Sequence, residues 1–159
     1  VNLRTAVKTS CDIFFYETAQ RLGIERLHAM GQSFGIGQQF DIGISGVARG
    51  IMPDPAWKRA QRNQGWSTGD SYNTVIGQGA MLASPLQLAV MTARVASGRA
   101  VEPTLYRNAM APPAPQMGVR DESLLIVRDA LRRSAGEPCG TSVFLRALGR
   151  EGVELSDDR

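Results

Sequence analysis

The sequence predicts a mainly helical chain, with few strands for its 159 residues. Apolar residues recur at steps of three and four in several segments, which is the spacing of one helix face. Typical capping residues precede two of these segments. Only three short segments, 40–44, 71–76 and 99–106, have the composition of extended chain. We therefore expect an all-α domain, or the helical part of a domain whose sheet lies mostly outside this segment.

Two helices are predicted in the first part of the chain. The first ends at Gly23, a residue type that commonly ends helices. Its apolar stripe consists of Leu3, Val7, Cys11, Phe14, Thr18 and Leu22. A shorter helix is predicted from Ile24 to Phe34. Glycine and proline are frequent over residues 37–55, which indicates a long surface connection.

The dipeptide Asp54-Pro55 predicts the start of a further helix. Asp is a good N-cap, and Pro fits the first helical turn. We expect this helix to end near Gly65. Residues 66–69 then predict a turn, and residues 71–76 predict a short extended segment.

The clearest helix signal is Ser84-Pro85-Leu86-Gln87. It combines a Ser cap, Pro in the first turn and Gln three residues after the cap, which is the pattern of a capping box. The residues that follow are nearly all apolar, so we expect a helix that is buried on all sides and ends at Gly98. A strand over 99–106, a Pro-rich loop over 108–118 and an amphipathic helix from Glu122 to Ser134 are predicted after it.

Composition excludes several classes of protein. Apolar residues make up 43% and charged residues 21%, close to the globular average. No apolar run approaches the roughly 20 residues of a membrane span. The net charge is +3, with basic residues scattered over many segments, so nucleic-acid binding is not expected. Two distant cysteines, Cys11 and Cys139, and the single His28 predict neither a metal site nor a cofactor.

The tripeptide Ser10-Cys11-Asp12 places a hydroxyl, a thiol and a carboxylate side by side. In an unbroken helix, residues two apart point about 200° from each other, so Ser10 and Asp12 could share a site only where the helix breaks. Asp12 is a good cap for a helix that starts at Ile13, and Ser10 is another candidate, so a break is possible. The residues alone leave two interpretations: a plain helix cap, or half of a catalytic site.

Several blocks, taken in order, resemble the transpeptidase domain of class B penicillin-binding proteins. They are residues 10–16 (SCDIFFY), 22–24 (LGI), 34–37 (FGIG), 50–58 (GIMPDPAWK), 66–79 (WSTGDSYNTVIGQG) and 82–89 (LASPLQLA). The last three blocks together point to the elongation-type group, penicillin-binding protein 2. The resemblance covers about residues 1–107 well and residues 119–136 less closely.

The resemblance implies the α/β (α+β) fold of serine β-lactamases and penicillin-binding transpeptidases, with this chain supplying mostly the helical part. The family uses three motifs. Ser10-Cys11-Asp12 lies where the second, S-x-N, belongs, with Asp in place of Asn. The first, S-x-x-K, and the third, K-[ST]-G, are absent from the sequence. The catalytic residues implied for this chain are therefore Ser10 and Asp12 only.

The family's chemistry assigns a role to each of these residues. The Ser10 hydroxyl would relay protons between the Lys of the absent first motif and the substrate amine, and Asp12 would orient groups around the substrate. Acyl transfer also needs a nucleophile beside its base and an oxyanion hole, and none of these parts can be named in this sequence. Whether the chain is an enzyme is therefore left open, and the fragment itself is expected to be inactive.

The ends of the chain predict a fragment of a longer protein. It opens inside a helical pattern without Met, and residues 143–159 no longer resemble the family. We therefore expect a partial transpeptidase domain over residues 1–136 and a divergent tail over residues 137–159.

The intact parent would cross-link peptidoglycan stem peptides during elongation, at the periplasmic face of the bacterial inner membrane. It would be acylated by β-lactams and would work with elongation-complex proteins. Two alternatives remain: a non-catalytic, penicillin-binding-like module of the elongation machinery, and an unrelated helical interaction domain with accidental matches.

Overall fold

The computed structural model describes residues 1–106 and 113–142. Within those ranges the chain forms seven helices: α1 Leu3–Lys8, α2 Asp12–Leu22, α3 Ile24–Ser33, α4 Pro55–Arg62, α5 Thr68–Val75, α6 Pro85–Ser97 and α7 Asp121–Gly136. The chain divides into two compact units. One comprises the described residues of Val1–Phe14 and Asp121–Arg159, and the other those of Phe15–Arg120.

The first unit is built on the packing of α1 against α7. Ala6 on α1 and Ala130 on α7 are completely buried, and Leu124 is nearly so. Small side chains at a helix contact let the two backbones approach closely. The side chain of Asn2 caps α1 by accepting a hydrogen bond from the Thr5 amide at 2.9 Å. The predicted C-terminal helix, Glu122 to Ser134, is confirmed as α7 and is slightly longer at both ends.

The long helix predicted before Gly23 is broken, as the Ser10-Cys11-Asp12 hypothesis requires. Helix α1 ends at Lys8, and α2 begins at Asp12. Ser10, between them, has a φ of 50°, which lies in the left-handed region. The chain therefore turns at Ser10 instead of continuing as one rod.

Local capping signals correctly predicted two helix starts in the second unit. Asp54 accepts a hydrogen bond from the Trp57 amide at 2.6 Å and caps α4. Ser84 and Gln87 form the predicted capping box of α6, in which each side chain bonds the other residue's backbone. The end of α6 at Gly98, with φ of 73°, also agrees with the prediction.

The prediction of a turn over 66–69 and an extended segment over 71–76 is wrong, because both fall in or beside α5. Ser67 and Asp70 make a second capping box, with the Asp70 carboxylate accepting from the Ser67 amide at 2.7 Å. A reciprocal cap satisfies two otherwise unpaired amides at the start of a helix. That local gain outweighs the weak β preference of the residues that follow.

The predicted strands are also wrong within the described ranges. Residues 42–45 form bends, and segment 99–106 contributes one isolated bridge, between Arg99 and Gln116. A second isolated bridge joins Ile51 to Leu82. A strand needs a neighbouring strand along its length, and the residues that surround these segments do not provide one.

Helix α6 is buried on one face only, so the prediction that it is buried on all sides is wrong. Its buried positions, Gln87, Val90 and Arg94, follow the three-and-four spacing of a single stripe. Leu88, on another face, is 46% exposed. The remaining core of this unit consists mainly of Ala19, Ile24, Ile36, Phe40 and Met52.

Parts of two predictions lie outside the described residues. These are residues 108–112 of the predicted Pro-rich loop and residues 143–159 of the predicted tail.

Candidate functional site

The joint between α1 and α2 is a Schellman motif, a common way of ending a helix. The Cys11 amide donates to the Ala6 carbonyl at 2.9 Å, and the Ser10 amide donates to the Val7 carbonyl at 3.3 Å. Both bonds satisfy carbonyls that the last turn of a helix would otherwise leave unpaired. The position that usually holds glycine in this motif holds Ser10 here, in the left-handed region. A residue other than glycine costs free energy in this conformation, so its presence suggests that the side chain has a function.

Because the helix breaks at Ser10, helix geometry no longer keeps Ser10 and Asp12 from sharing a site. Ser10 lies outside any helix and is exposed, and Asp12 is the exposed first residue of α2. They flank Cys11 at the joint, so the separation of about 200° found within one continuous helix does not apply to them. The negative charge of Asp12 is also favourable at a helix N-terminus.

The Ser10 side chain has a partner that the sequence did not predict. Its Oγ lies 3.1 Å from Oγ1 of Thr141, which is 131 residues away in the chain. The Thr141 hydroxyl also lies 3.2 Å from the Ser134 hydroxyl on α7. Nothing in the sequence of residues 137–141 indicated that Thr141 reaches Ser10.

A chain of alternating charges runs along the contact between α1 and α7. Asp129 accepts from Arg4 and from Arg133, each at 2.9 Å, and Glu137 accepts from Arg133 at 3.0 Å and from Lys8 at 2.8 Å. The hydrogen bond from Lys8, aided by the charge of Arg133, holds the pKa of Glu137 below its ordinary value of 4.5. The hydrogen bond from Arg133, with help from Arg4, likewise holds the pKa of Asp129 below 3.8.

These ion pairs predict a pH-dependent stability. A carboxyl group whose pKa is lower in the folded chain stabilises the fold above its unfolded pKa, and this contribution disappears as the pH falls through the folded pKa. We therefore expect the thermal midpoint to be steady near neutral pH and to fall on acidification below about pH 4.5. Thermal unfolding of the wild type and Glu137→Gln between pH 3 and 7 should give midpoints that differ most near pH 7, with the wild type higher, and that approach each other as the pH falls.

A matched control for this prediction is Glu17→Gln. Glu17 pairs with Arg21 at 4.0 Å, and both side chains are largely exposed, so its removal should change little at any pH. An equal difference between wild type and Glu137→Gln at pH 3 and pH 7 would contradict the assignment of stability to the ionised carboxylate.

The second unit has a cavity of about 220 Å³, lined in part by Trp57, Trp66 and Asn73. Lys58 donates to Asp70 at 2.6 Å beside it, with both side chains mostly buried. Burial works against the charge of Asp70, but hydrogen bonds from Lys58 and Ser67 outweigh it and hold the pKa of this carboxyl below its ordinary value. Because Asp70 also belongs to the α5 capping box, these contacts are explained by the fold.

Three further observations concern metal ligands, membrane spans and free thiols. Among the described residues, no three His, Cys, Asp or Glu side chains come together in a way that could hold a metal ion. No helix of that part of the chain combines the length and apolar character needed to cross a bilayer. Cys11 and Cys139 are free thiols, with Cys11 half-buried and Cys139 exposed.

Comparison with known proteins assigns the chain to a family. The sequence profile of the penicillin binding protein transpeptidase domain matches residues 1–153. The chain belongs to the penicillin-binding protein transpeptidase family. Its relatives include the peptidoglycan D,D-transpeptidase MrdA of Acinetobacter baumannii, 38% identical over 108 residues, and that of Salmonella typhimurium, 33% identical over 109 residues.

Solved structures of penicillin-binding proteins agree with this assignment. Pseudomonas aeruginosa PBP2 in complex with WCK 5153 superposes with a TM-score of 0.81 and 36% identity, over 92% of this chain and 35% of that one. Helicobacter pylori PBP2, in its complex with MreC, has a TM-score of 0.81 and 30% identity, over 89% of this chain and 27% of that one. These relatives make the chain a PBP2-type class B penicillin-binding protein segment and confirm the predicted fold.

The match is to part of each relative. The match covers 67% of this chain but only 16% of the Acinetobacter baumannii protein. For the Salmonella typhimurium protein it covers 68% of this chain and 18% of the relative. The described residues are therefore a mainly helical part of the penicillin-binding transpeptidase fold. The S-x-x-K and K-[ST]-G motifs do not occur in the 159 residues of this chain.

Proposed function

We propose that this chain is part of a peptidoglycan D,D-transpeptidase of the PBP2 type, and that Ser10 and Asp12 supply the second of its three catalytic motifs. The observation that supports this most is the helix break, which holds an exposed serine hydroxyl where the fold itself favours glycine. The MrdA relatives support the reaction class.

In this proposal Ser10 relays a proton and Asp12 orients the groups around it. The first motif of the family supplies a nucleophilic Ser and a Lys, and acyl transfer begins when that Ser attacks the carbonyl of one stem peptide. The Ser10 hydroxyl relays a proton from the Lys of the first motif to the departing amine, and in the second half-reaction it relays a proton from the attacking amine back to that Lys. Asp12, at the start of α2, has a carboxylate that can accept hydrogen bonds from the substrate or its neighbours.

The proposal extends to partners and location. Its substrates are stem peptides, the intact protein is acylated by β-lactams, and it works with elongation-complex proteins at the periplasmic face of the inner membrane. The solved complex of Helicobacter pylori PBP2 with MreC supports the partner class. We also retain the division into a partial domain over residues 1–136 and a divergent tail over residues 137–159, while noting that the family match extends to residue 153.

The chain of 159 residues is expected to form no covalent adduct with penicillin. It has Ser10 but lacks the S-x-x-K serine, and a hydroxyl without an adjacent base is a poor nucleophile. Intact-protein mass spectrometry after incubation with benzylpenicillin should give an unchanged mass, with an intact penicillin-binding protein as positive control. A stoichiometric adduct on any residue would overturn the prediction that this chain is inactive by itself.

The DNA on either side of this segment decides between the enzyme and the non-catalytic module. An upstream S-x-x-K and a downstream K-[ST]-G, in the same or another reading frame, would support the transpeptidase. Flanking sequence that aligns with the family but has lost both motifs would instead favour a non-catalytic module of the elongation machinery.

A further inference from the structure

We propose that Thr141 is a positioning residue for Ser10, and that it fixes the direction in which the Ser10 hydroxyl points. This inference rests on the proposed function for its catalytic meaning, although the contact itself is a property of the first unit. The two hydroxyl oxygens lie 3.1 Å apart, and Ser10 is otherwise exposed, so its side chain would be free to rotate without Thr141.

Thr141 is held in place by a short segment that folds back from the end of α7. We call residues 137–142 the return segment. The Thr141 amide donates to the Lys8 carbonyl at 3.1 Å, and the Ser142 amide donates to the Ser134 carbonyl at 3.1 Å. The ion pair between Glu137 and Lys8, at 2.8 Å, joins the start of the segment to the end of α1. The return segment is therefore fixed to both helices of the unit.

Gly140 allows this close approach. A Cβ atom added at Gly140 would lie 2.9 Å from the Arg133 carbonyl oxygen and would also overlap the backbone of Ser134. Any larger residue would push the return segment away from α7. The position of Thr141 thus depends on backbone contacts that do not involve its own hydroxyl, so that hydroxyl can be changed without undocking the segment.

Besides Ser10 and the Ser134 hydroxyl, which is 3.2 Å away, the Thr141 hydroxyl has one further contact. Its Oγ1 lies 3.4 Å from the Lys8 carbonyl oxygen, which can only accept a hydrogen bond. When Thr141 donates its proton there, its oxygen can accept from Ser10; when that proton turns away, Thr141 can donate to Ser10 instead. In either arrangement the contact holds the Ser10 oxygen in one position, from which its hydroxyl can exchange protons with a substrate amine. Orientation of this kind is what a relay group needs before the reaction begins.

The test replaces the Thr141 hydroxyl without changing the shape of its side chain. In the labelled 159-residue chain, side-chain couplings measured by NMR should give one dominant χ1 rotamer for Ser10. In Thr141→Val the population ratio of that rotamer to the others should fall about fivefold, the equivalent of one ordinary hydrogen bond. Thr141→Ser, which restores a hydroxyl, should return the ratio to near its original value.

Two controls separate positioning from general loosening. Thr9→Val removes a neighbouring hydroxyl that bonds the Thr5 carbonyl at 2.9 Å, and it should leave the Ser10 rotamer unchanged. Hydrogen exchange of the Thr141 and Ser142 amides should remain slow in Thr141→Val, because those amides bond backbone carbonyls.

The proposal is overturned if the Ser10 rotamer is already averaged in the wild type, or if it is the same in Thr141→Val. It is also overturned if Thr9→Val changes it equally. No β-lactam or flanking sequence enters this experiment, so its failure is distinct from failure of the proposed function.

Discussion

Replacement of Arg94 by Ala is expected to lower the free energy of unfolding by about 2–4 kcal/mol, because it removes charged hydrogen bonds to two carbonyl groups and the packing of a buried side chain. Arg94 is only 3% exposed. Its guanidinium donates to the Ser33 carbonyl at 2.8 Å, to the Val101 carbonyl at 3.1 Å and to the Glu102 carboxylate at 2.7 Å. Truncation leaves two carbonyls without this donor and opens a cavity. Chemical denaturation followed by circular dichroism measures the loss.

Two further variants test the reason for this loss. Arg94→Lys keeps the charge but cannot reproduce a planar fork that reaches three acceptors, so it should recover only part of the stability. Arg21→Ala removes an arginine whose side chain is 83% exposed, and it should change stability by no more than about 0.5 kcal/mol. If Arg94→Ala were as mild as Arg21→Ala, the network would not stabilise the second unit.

Gly50→Ala is expected to destabilise the second unit by about 2–5 kcal/mol, as the sum of a backbone term and an overpacking term. Gly50 has a φ of 63°, which L-residues rarely adopt. A Cβ atom there would also lie 2.5 Å from the Leu82 carbonyl oxygen and would overlap the side-chain oxygen of Gln87. Gln87 is completely buried and donates to the carbonyls of Gln38 and Arg49, so it has little room to move.

Gly46→Ala is the matched control, because it isolates the backbone term. Gly46 has a φ of 83°, but an added Cβ would meet nothing within 4 Å. This variant should cost only about 1–2 kcal/mol. The difference between the two variants in thermal or chemical unfolding then measures the close packing around Gln87. Equal losses would mean that the packing at Gly50 relaxes freely.

Features encoded within a few residues were predictable from the sequence. The starts of α4 and α6 followed from Asp54 and Ser84, since a cap and its partner lie three residues apart. The same rule also fits the start of α5, where Ser67 is the N-cap and Asp70 is the acidic residue three positions later. Residues 71–76 have a weak β preference, but the cap at Ser67 makes this segment helical.

Features that depend on distant residues were not predictable. Segments 40–44 and 99–106 look like strands, but strand formation depends on pairing partners that a local pattern does not reveal. The burial of Arg94 was equally hidden, because its acceptors lie on two separate segments, one of them at Ser33, 61 residues away. At the candidate site, the resemblance indicated Ser10 and Asp12, whereas the Thr141 contact spans 131 positions and required the fold.

The left-handed backbone conformation at Ser10 lowers the stability of this segment, while the Ser10 side chain provides the hydroxyl that the proposed reaction uses. Glycine at that position would relieve strain on the order of 1 kcal/mol, but it would remove the hydroxyl that the proposed proton relay needs. A library screened for heat resistance alone would therefore tend to discard Ser10. Engineering of this chain, or of a longer protein that contains it, is best done with position 10 held constant and stability sought elsewhere.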